Sequence, residues 1–155
     1  MKITAQEEIG LRIMLRVANC GNESGLSIPQ LSEIEGISIP YVAKLTRLLR
    51  QKGFLNSTPG NKGGYVLARP ANEIVVNDLL KVLGGALFDT SFCNVHSGGM
   101  KLCTNSVDCS VRSLWKMMQL VLDELLQHLT LSDLSNTELE AERIISRVFA
   151  PKSLT

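Results

Sequence analysis

Between Ser27 and Gly53 the chain carries two short helix patterns in immediate succession, each bounded at both ends. Ser27 stands where an N-cap belongs, Pro29 falls in the first turn, and Gln30 sits at the capping-box position. This helix should run to about Glu35. Gly36 supplies the left-handed residue that a tight stop requires. Ser38 caps a second pattern, with Pro40 in its first turn, which runs to about Lys52 before Gly53 stops it. The apolar residues Leu31, Ile34, Ile37, Val42, Leu45, Leu48 and Leu49 would lock the two helices together. Two capped helices joined by Glu35-Gly36-Ile37-Ser38 make a helix-turn-helix pattern, although many helical hairpins share it.

The next segment of the chain narrows the choice. Phe54 to Ala68 reads as two strand-like ends around a Pro/Gly/Asn turn, a β-hairpin placed where a winged helix carries its wing. From Ser38 to Arg69 there are six basic residues (Lys44, Arg47, Arg50, Lys52, Lys62 and Arg69) and no Asp or Glu. The whole chain sums to +1, so everything outside this stretch sums to −5. A local basic field on a near-neutral protein is the footprint of a nucleic-acid surface. The N-terminal residues Ser38, Pro40, Tyr41 and Lys44 of the second helix are then candidates for the major groove. Arg47 and Arg50 are candidates for phosphate, though one could read guanine. In the wing, Asn61 and Tyr65 are candidate contacts, and Lys62 at the tip could enter a minor groove or meet phosphate.

Around this unit the periodicity predicts further helices. Residues 4 to 20 share a broad apolar face through Ile9, Ile13, Leu15, Val17 and Ala18, with Thr4 as the cap. Residues 74 to 84 form a short helix, with Asn77 as one possible cap and Gly84-Gly85 as its stop. Residues 86 to 108 show little periodicity. From about Ser110 to Leu129, Leu114, Met117, Met118, Val121, Leu122, Leu125, Leu126 and Leu129 make a wide stripe. Residues 137 to 149 suggest a last helix with Thr137 and Glu140 as a capping box. The long striped helix has little of its own chain left to bury it, and a second copy is the simple solution. The expected fold is mainly α with a small β-hairpin: a winged helix-turn-helix over 1–76, and cluster-loop and dimerisation helices over 77–155.

The aperiodic stretch holds Cys93, Cys103 and Cys109, with gaps of nine and five residues. No apolar run approaches the ~20 residues of a membrane span, and no secretory signal opens the chain. A cytoplasmic location is therefore expected, where thiols stay reduced and clustered cysteines read as ligands or redox groups before disulfides. Thiolates hold 2Fe–2S and 4Fe–4S clusters. Zinc prefers closely spaced pairs such as Cys-x2-Cys, which these gaps do not match. A metal-free thiol switch stays open. A catalytic cysteine does not fit, because no His or Asp constellation accompanies a nucleophile. Three cysteines leave one cluster position for an oxygen or nitrogen donor, for which His96 is the local candidate. Cys20 reads as a buried small residue.

These residues together resemble the IscR/NsrR-type winged-helix transcription regulators of bacteria. The resemblance runs from Met1-Lys-Ile-Thr4 and Leu11-Arg12 through Gly36-Ile-Ser-Ile-Pro-Tyr-Val42, Leu48, Arg50 and Lys52-Gly53. It continues through Gly63-Gly64-Tyr65 and Leu67 to three cysteines and a helix opening around Leu114-Trp115. It implies a homodimer, a long crossing dimer helix, a cysteine-ligated iron–sulfur cluster and a palindromic DNA operator. The wing departs from the Arg-Gly-Pro frequent in the family, carrying Pro59-Gly60-Asn61-Lys62 instead. IscR-like members place a histidine three residues after the last cysteine, where this chain has Arg112, which cannot ligate. NsrR-like members use an acidic residue near the N-terminus, supplied by the other subunit, and Glu8 stands at that position with Glu7 beside it. The function implied is a transcription regulator, not an enzyme, whose operator binding follows a cluster that senses iron, nitric oxide or redox state. The alternative is a metal-free winged-helix repressor controlled by a small molecule or a partner protein.

Overall fold

The computed structural model describes residues 3–21, 25–59, 63–89, 91–95, 103, 105 and 107–149. The wing-tip residues Asn61 and Lys62 and the candidate ligand His96 lie outside them. Helix α1 (Ala5–Asn19) begins at Thr4, whose backbone N–H and hydroxyl both donate to Glu7 Oε2, at 2.8 and 2.7 Å. Helix α2 (Ile28–Glu35) begins at Ser27 with the Gln30 capping box in place. It ends at Gly36, whose φ of 66° is the left-handed conformation that only glycine adopts cheaply. Helix α3 (Ile39–Gln51) follows directly. Its N-cap is Ser38, but the hydroxyl makes no capping bond, so the serine sets the entry backbone without satisfying a donor.

Strands β1 (Leu55–Ser57) and β2 (Tyr65–Leu67) pair antiparallel, with Asn56 opposite Val66. The neck of the wing closes where Thr58 N–H donates to Gly64 O at 2.8 Å. Tyr65 also exchanges backbone bonds with Leu26, which pins the hairpin to the chain entering α2. Thus the wing's base is tied both to its own partner strand and to the helix-turn-helix.

The core lies under α1, α2, α3 and the hairpin, with Ile13, Met14, Leu31, Val42, Leu45, Leu49 and Leu55 fully buried. Ile34, expected among the locking residues, is instead exposed on the outer side of α2. One acid enters this core. The Glu35 side chain is fully buried and pairs with both Arg12 and Arg16 of α1, the latter at 2.6 Å. The Arg16 Nε–H donates to Glu35 Oε1, so the pair is a charge-assisted hydrogen bond joining α1 to the end of α2.

Removing charge from the two sides of this triad should have unequal effects. Glu35→Ala frees two half-exposed guanidiniums that water can solvate, and should lower unfolding free energy by ~1–3 kcal/mol. Arg12→Ala with Arg16→Ala leaves a buried carboxylate with no counter-charge, and should cost about 3–5 kcal/mol. Urea titrations at one fixed protein concentration check the order. A costlier Glu35→Ala would mean that the triad is not desolvated as its burial indicates.

After a 3-10 turn (Ala71–Glu73), helix α4 (Val76–Gly84) packs along α1. Its cap is Val75, not Asn77. The reason is non-local. Val75 bridges Thr130, Val76 N–H donates to Leu129 O at 2.9 Å, and Leu131 N–H donates to Ile74 O at 2.8 Å. The helix therefore starts directly after this two-strand contact, and Asn77 becomes a nearly buried residue of the first turn.

Helix α5 (Ser91–Val95) interrupts the stretch expected to be aperiodic, and carries Cys93. Helix α6 (Ser110–Leu126) is the long striped helix. It stops three residues earlier than its pattern predicted, because the chain turns back at Gln127 to make the contact with Val76. Leu129 accordingly leaves the stripe and is buried against the N-terminal unit. A further short helix not foreseen, α7 (Leu131–Leu134), brings fully buried Leu131 into the same core. Helix α8 (Glu138–Phe149) begins after Thr137, with the expected Glu140 bonds. No residue of α6 is buried, and Leu114, Met117, Leu120 and Val121 are each more than half exposed.

Candidate nucleic-acid interface and cysteine loop

Burial of Val42, Leu45, Thr46 and Leu49 fixes the rotation of α3, which turns Pro40, Lys44, Arg47 and Gln51 outward. These four recur at four, three and four residues, one exposed helical face. With Ala43 and Leu48 they line an open groove whose far wall is Gln6 of α1. Lys44 Nζ lies 5.8 Å from the centre of the Tyr41 ring, and Tyr41 itself packs against the core. This holds one cation near the start of the recognition helix without neutralising it. Arg50 is exposed, as is Ser38 at the helix start. Tyr65 is half-buried at the base of the wing and packs against the core.

Two residues of the basic run need separating from the rest. Lys62 lies outside the described residues. Arg69 donates to Gly53 O at 3.2 Å and to Glu73 O at 3.3 Å, with its guanidinium 4.9 Å from the Phe54 ring centre. Its charge is thus spent on holding the hairpin base together. In the groove, Gln51 and Ala43 were visible in principle, since they continue the spacing of Pro40, Lys44 and Arg47. Gln6 was not, because nothing local marks it. Its side-chain amide donates to Leu83 O, which anchors the start of α1 beside the end of α4.

The cysteines lie on the excursion between α4 and α6. Cys93 is in α5, Cys103 in the following loop, and Cys109 is the N-cap of α6. Cys109 Sγ accepts the backbone N–H of Arg112 at 3.3 Å. All three thiols are part-exposed and none is in a disulfide. Among the described residues no three His, Cys, Asp or Glu side chains converge on a common point. The donor chemistry nevertheless fits a thiolate-held group: three free sulfurs on one short excursion, the last fixed at the head of a helix. Cys20, expected to be buried, is part-exposed at the end of α1. Glu7 is occupied by its capping bonds, whereas Glu8 is exposed on α1.

One polar network ties α6 to the rest. Lys81 Nζ of α4 meets Asp123 Oδ1 of α6 at 2.8 Å. Gln119 donates to the same carboxylate at 2.9 Å and accepts from Phe88 N–H at 3.0 Å. The Lys81 hydrogen bond, and after it those of Asn77 and Gln119, hold the Asp123 carboxyl below the usual carboxylate range. A depressed carboxylate pKa makes this tie present above the ordinary value and lost as pH falls through the depressed one.

A winged helix-turn-helix with an open basic recognition face defines a DNA-binding protein. A family model described as Rrf2, an iron-dependent transcriptional regulator, matches residues 3–137. The chain belongs to the Rrf2 family and is a transcriptional regulator that binds DNA, not an enzyme. It is 33% identical over 134 residues to Protein rrf2 of Nitratidesulfovibrio vulgaris, covering 86% of this chain and 87% of that one. Among solved structures it is similar to CymR, the global cysteine regulator of B. subtilis, with a TM-score of 0.68 and 27% identity, over 87% of this chain and 96% of that one. It is similar also to T. potens IscR, with a TM-score of 0.64 and 29% identity, over 86% of this chain and 85% of that one. Among the described residues no helix is long and apolar enough to cross a membrane.

Proposed function

We propose that the protein is a homodimeric, cytoplasmic transcription regulator whose binding to a palindromic operator is set by an iron–sulfur cluster. The observation that carries this is Cys109 at the N-cap of α6, a long apolar helix with no buried residue. A thiol that binds something there is attached to the first turn of the element a second copy would cover. Cys93, Cys103 and Cys109 would hold the cluster, with Glu8 of the partner copy as fourth ligand. Glu8 is the better of the two acids because it is exposed, whereas the Glu7 carboxyl is turned onto Gly84 of its own chain. A cluster with three thiolates and one weaker donor gains or loses ligands and electrons readily.

The division of labour rests on the same placement. Residues 1–76 would form the reading head, with Ser38, Pro40, Tyr41, Lys44, Arg47 and Arg50 of α3 and its entry, and Asn61, Lys62 and Tyr65 of the wing, as its candidate contacts to the duplex. Residues 77–155 carry the cysteine loop and dimer helices. The Lys81–Asp123 bond and the Gln119 bridge tie α6 to α4 and to the loop after it, and α4 in turn packs along α1 of the reading head. A shift of α6 therefore reaches α4, and through Gln6 and Leu83 the start of α1 beside the recognition face.

Anaerobic purification with a visible spectrum and iron and sulfide analysis tests the reading. Alanine at Cys93, Cys103 or Cys109 should abolish the visible absorption, while Cys20→Ala should keep it. Glu8→Ala should retain a labile cluster and make DNA affinity depend less on it. A colourless native protein that still binds its operator would replace this reading with a metal-free regulator. The similarity to CymR supports that second reading.

A further inference from the structure

Away from α3 and the cysteines, a cavity of about 350 Å³ opens where α1, α4 and α6 meet. That volume is in the range of small-molecule sites. Leu80 of α4 and Leu122 and Leu126 of α6 give it an apolar floor. Two opposite charges line it, Glu7 of α1 and Lys81 of α4. Both capping bonds from Thr4 fall on Glu7 Oε2, so Oε1 is left for another donor. Oε1 lies against Gly84, where a Cβ would collide with the Glu7 carboxyl. Gly84 follows Lys81 by three positions, which puts the carboxylate about one helical turn, ~5 Å, along α4 from the backbone that carries the lysine.

One anion and one cation a turn apart, beside an apolar floor, are the complement of a zwitterion with an apolar tail. We propose that this cavity binds a free α-amino acid with an apolar side chain. Its ammonium meets Glu7, its carboxylate meets Lys81, and its side chain lies on Leu80, Leu122 and Leu126. Among the described residues no cysteine and no residue of α3 lines the cavity, so the site is distinct from those of the proposed function.

The location gives binding a consequence. Lys81 is the α4 side of the ion pair with Asp123. A ligand carboxylate competes for the same ammonium and leaves Asp123 to Gln119 and Asn77. The tie between α4 and α6 then weakens, and the orientation of α6 relative to the packed α1 and α4 becomes ligand-dependent.

Calorimetric titration of the full-length protein with L-leucine and L-phenylalanine tests this. The controls for leucine are 3-methylbutylamine, which lacks the carboxylate, and 4-methylpentanoate, which lacks the amine. For phenylalanine they are 2-phenylethylamine and 3-phenylpropionate. At least one amino acid should bind, and each of its truncated analogues should bind about tenfold more weakly or worse. Lys81→Met and Glu7→Gln should each cost a similar factor, with unchanged circular dichroism showing that the fold is kept; glutamine preserves the capping box. Binding of neither amino acid at millimolar concentration, equal binding of the truncated analogues, or full affinity in both variants would overturn the proposal. Repeating the titration on the Cys103→Ala protein separates the two readings. Binding there without colour supports the cavity alone, and colour in the native protein without amino-acid binding leaves only the cysteine reading.

Discussion

Replacing Lys44 and Arg47 together by alanine is expected to weaken operator binding by about 30- to 1,000-fold. The two cations lie on one exposed face of α3, at positions set by burial of Val42, Leu45 and Leu49 on the other. A base-reading contact is worth ~1–3 kcal/mol and a phosphate contact a share of the counterion release, which together give about 2–4 kcal/mol for the pair. Neither side chain is buried, so the fold should hold within about 0.5 kcal/mol. Gel shifts on a duplex selected by the unaltered protein, repeated across salt concentrations, measure the loss. Each lost phosphate contact should flatten the salt dependence by about one counterion. Arg69→Ala is the informative control. Its guanidinium holds Gly53 and Glu73 carbonyls, so it should lower stability and leave the salt slope alone. If Arg69→Ala flattened the slope and the double variant did not, the recognition face would have been assigned to the wrong side of the hairpin.

That contrast shows what a sequence can and cannot carry. Lys44, Arg47 and Arg69 look alike in a charge run. Only the fold separates two cations over open solvent from one folded back on Phe54. Local signals were legible where they were complete in a few residues. Thr4, Ser27 with Gln30, and Gly36 each specify a helix boundary through bonds to near neighbours, and the structure has all three. Asn77 carried the right chemistry for a cap and failed as one, because Val75 is claimed by Thr130 far along the chain. Leu129 fits the α6 period and yet leaves it, for the same reason at the other end of that contact. Glu35 reads as a polar helix end, and its burial depends on Arg12 and Arg16 arriving from α1. The common cause is sequence distance: the contacts that decided these positions join residues that no short window contains. The cysteine positions were plain from the sequence, as was Glu8 on an exposed turn. In the proposed dimer the donors would meet across two copies of the chain, and no single-chain pattern encodes that.

The second copy can be tested directly. Met117→Asp with Val121→Asp is expected to convert a dimer into a monomer at micromolar concentration while leaving the reading head folded. Met117 and Val121 are four apart on α6, hence neighbours on one face, and 63% and 62% exposed. Covering each such side chain with a partner's apolar face is worth ~1.5–3 kcal/mol, which the substitution forfeits. Two-fold symmetry doubles the effect, because each substitution enters the interface from both subunits, four carboxylates in all. Leaving a buried charge without a partner costs several kcal/mol more. The head should survive because no α6 residue is buried in the single chain, while buried Leu129 and the core residue Leu131 lie beyond the altered turns. Sedimentation velocity reads the mass and circular dichroism the fold. DNA binding should fall by a factor comparable to or larger than that lost with Lys44 and Arg47. Two heads on one dimer bind a palindrome with the second contact made intramolecular, an advantage of about 10²–10⁴ that a monomer lacks. An unchanged dimer mass would show that α6 is covered by something other than its own copy, and would leave Cys109 attached to an element with no part in half-site spacing.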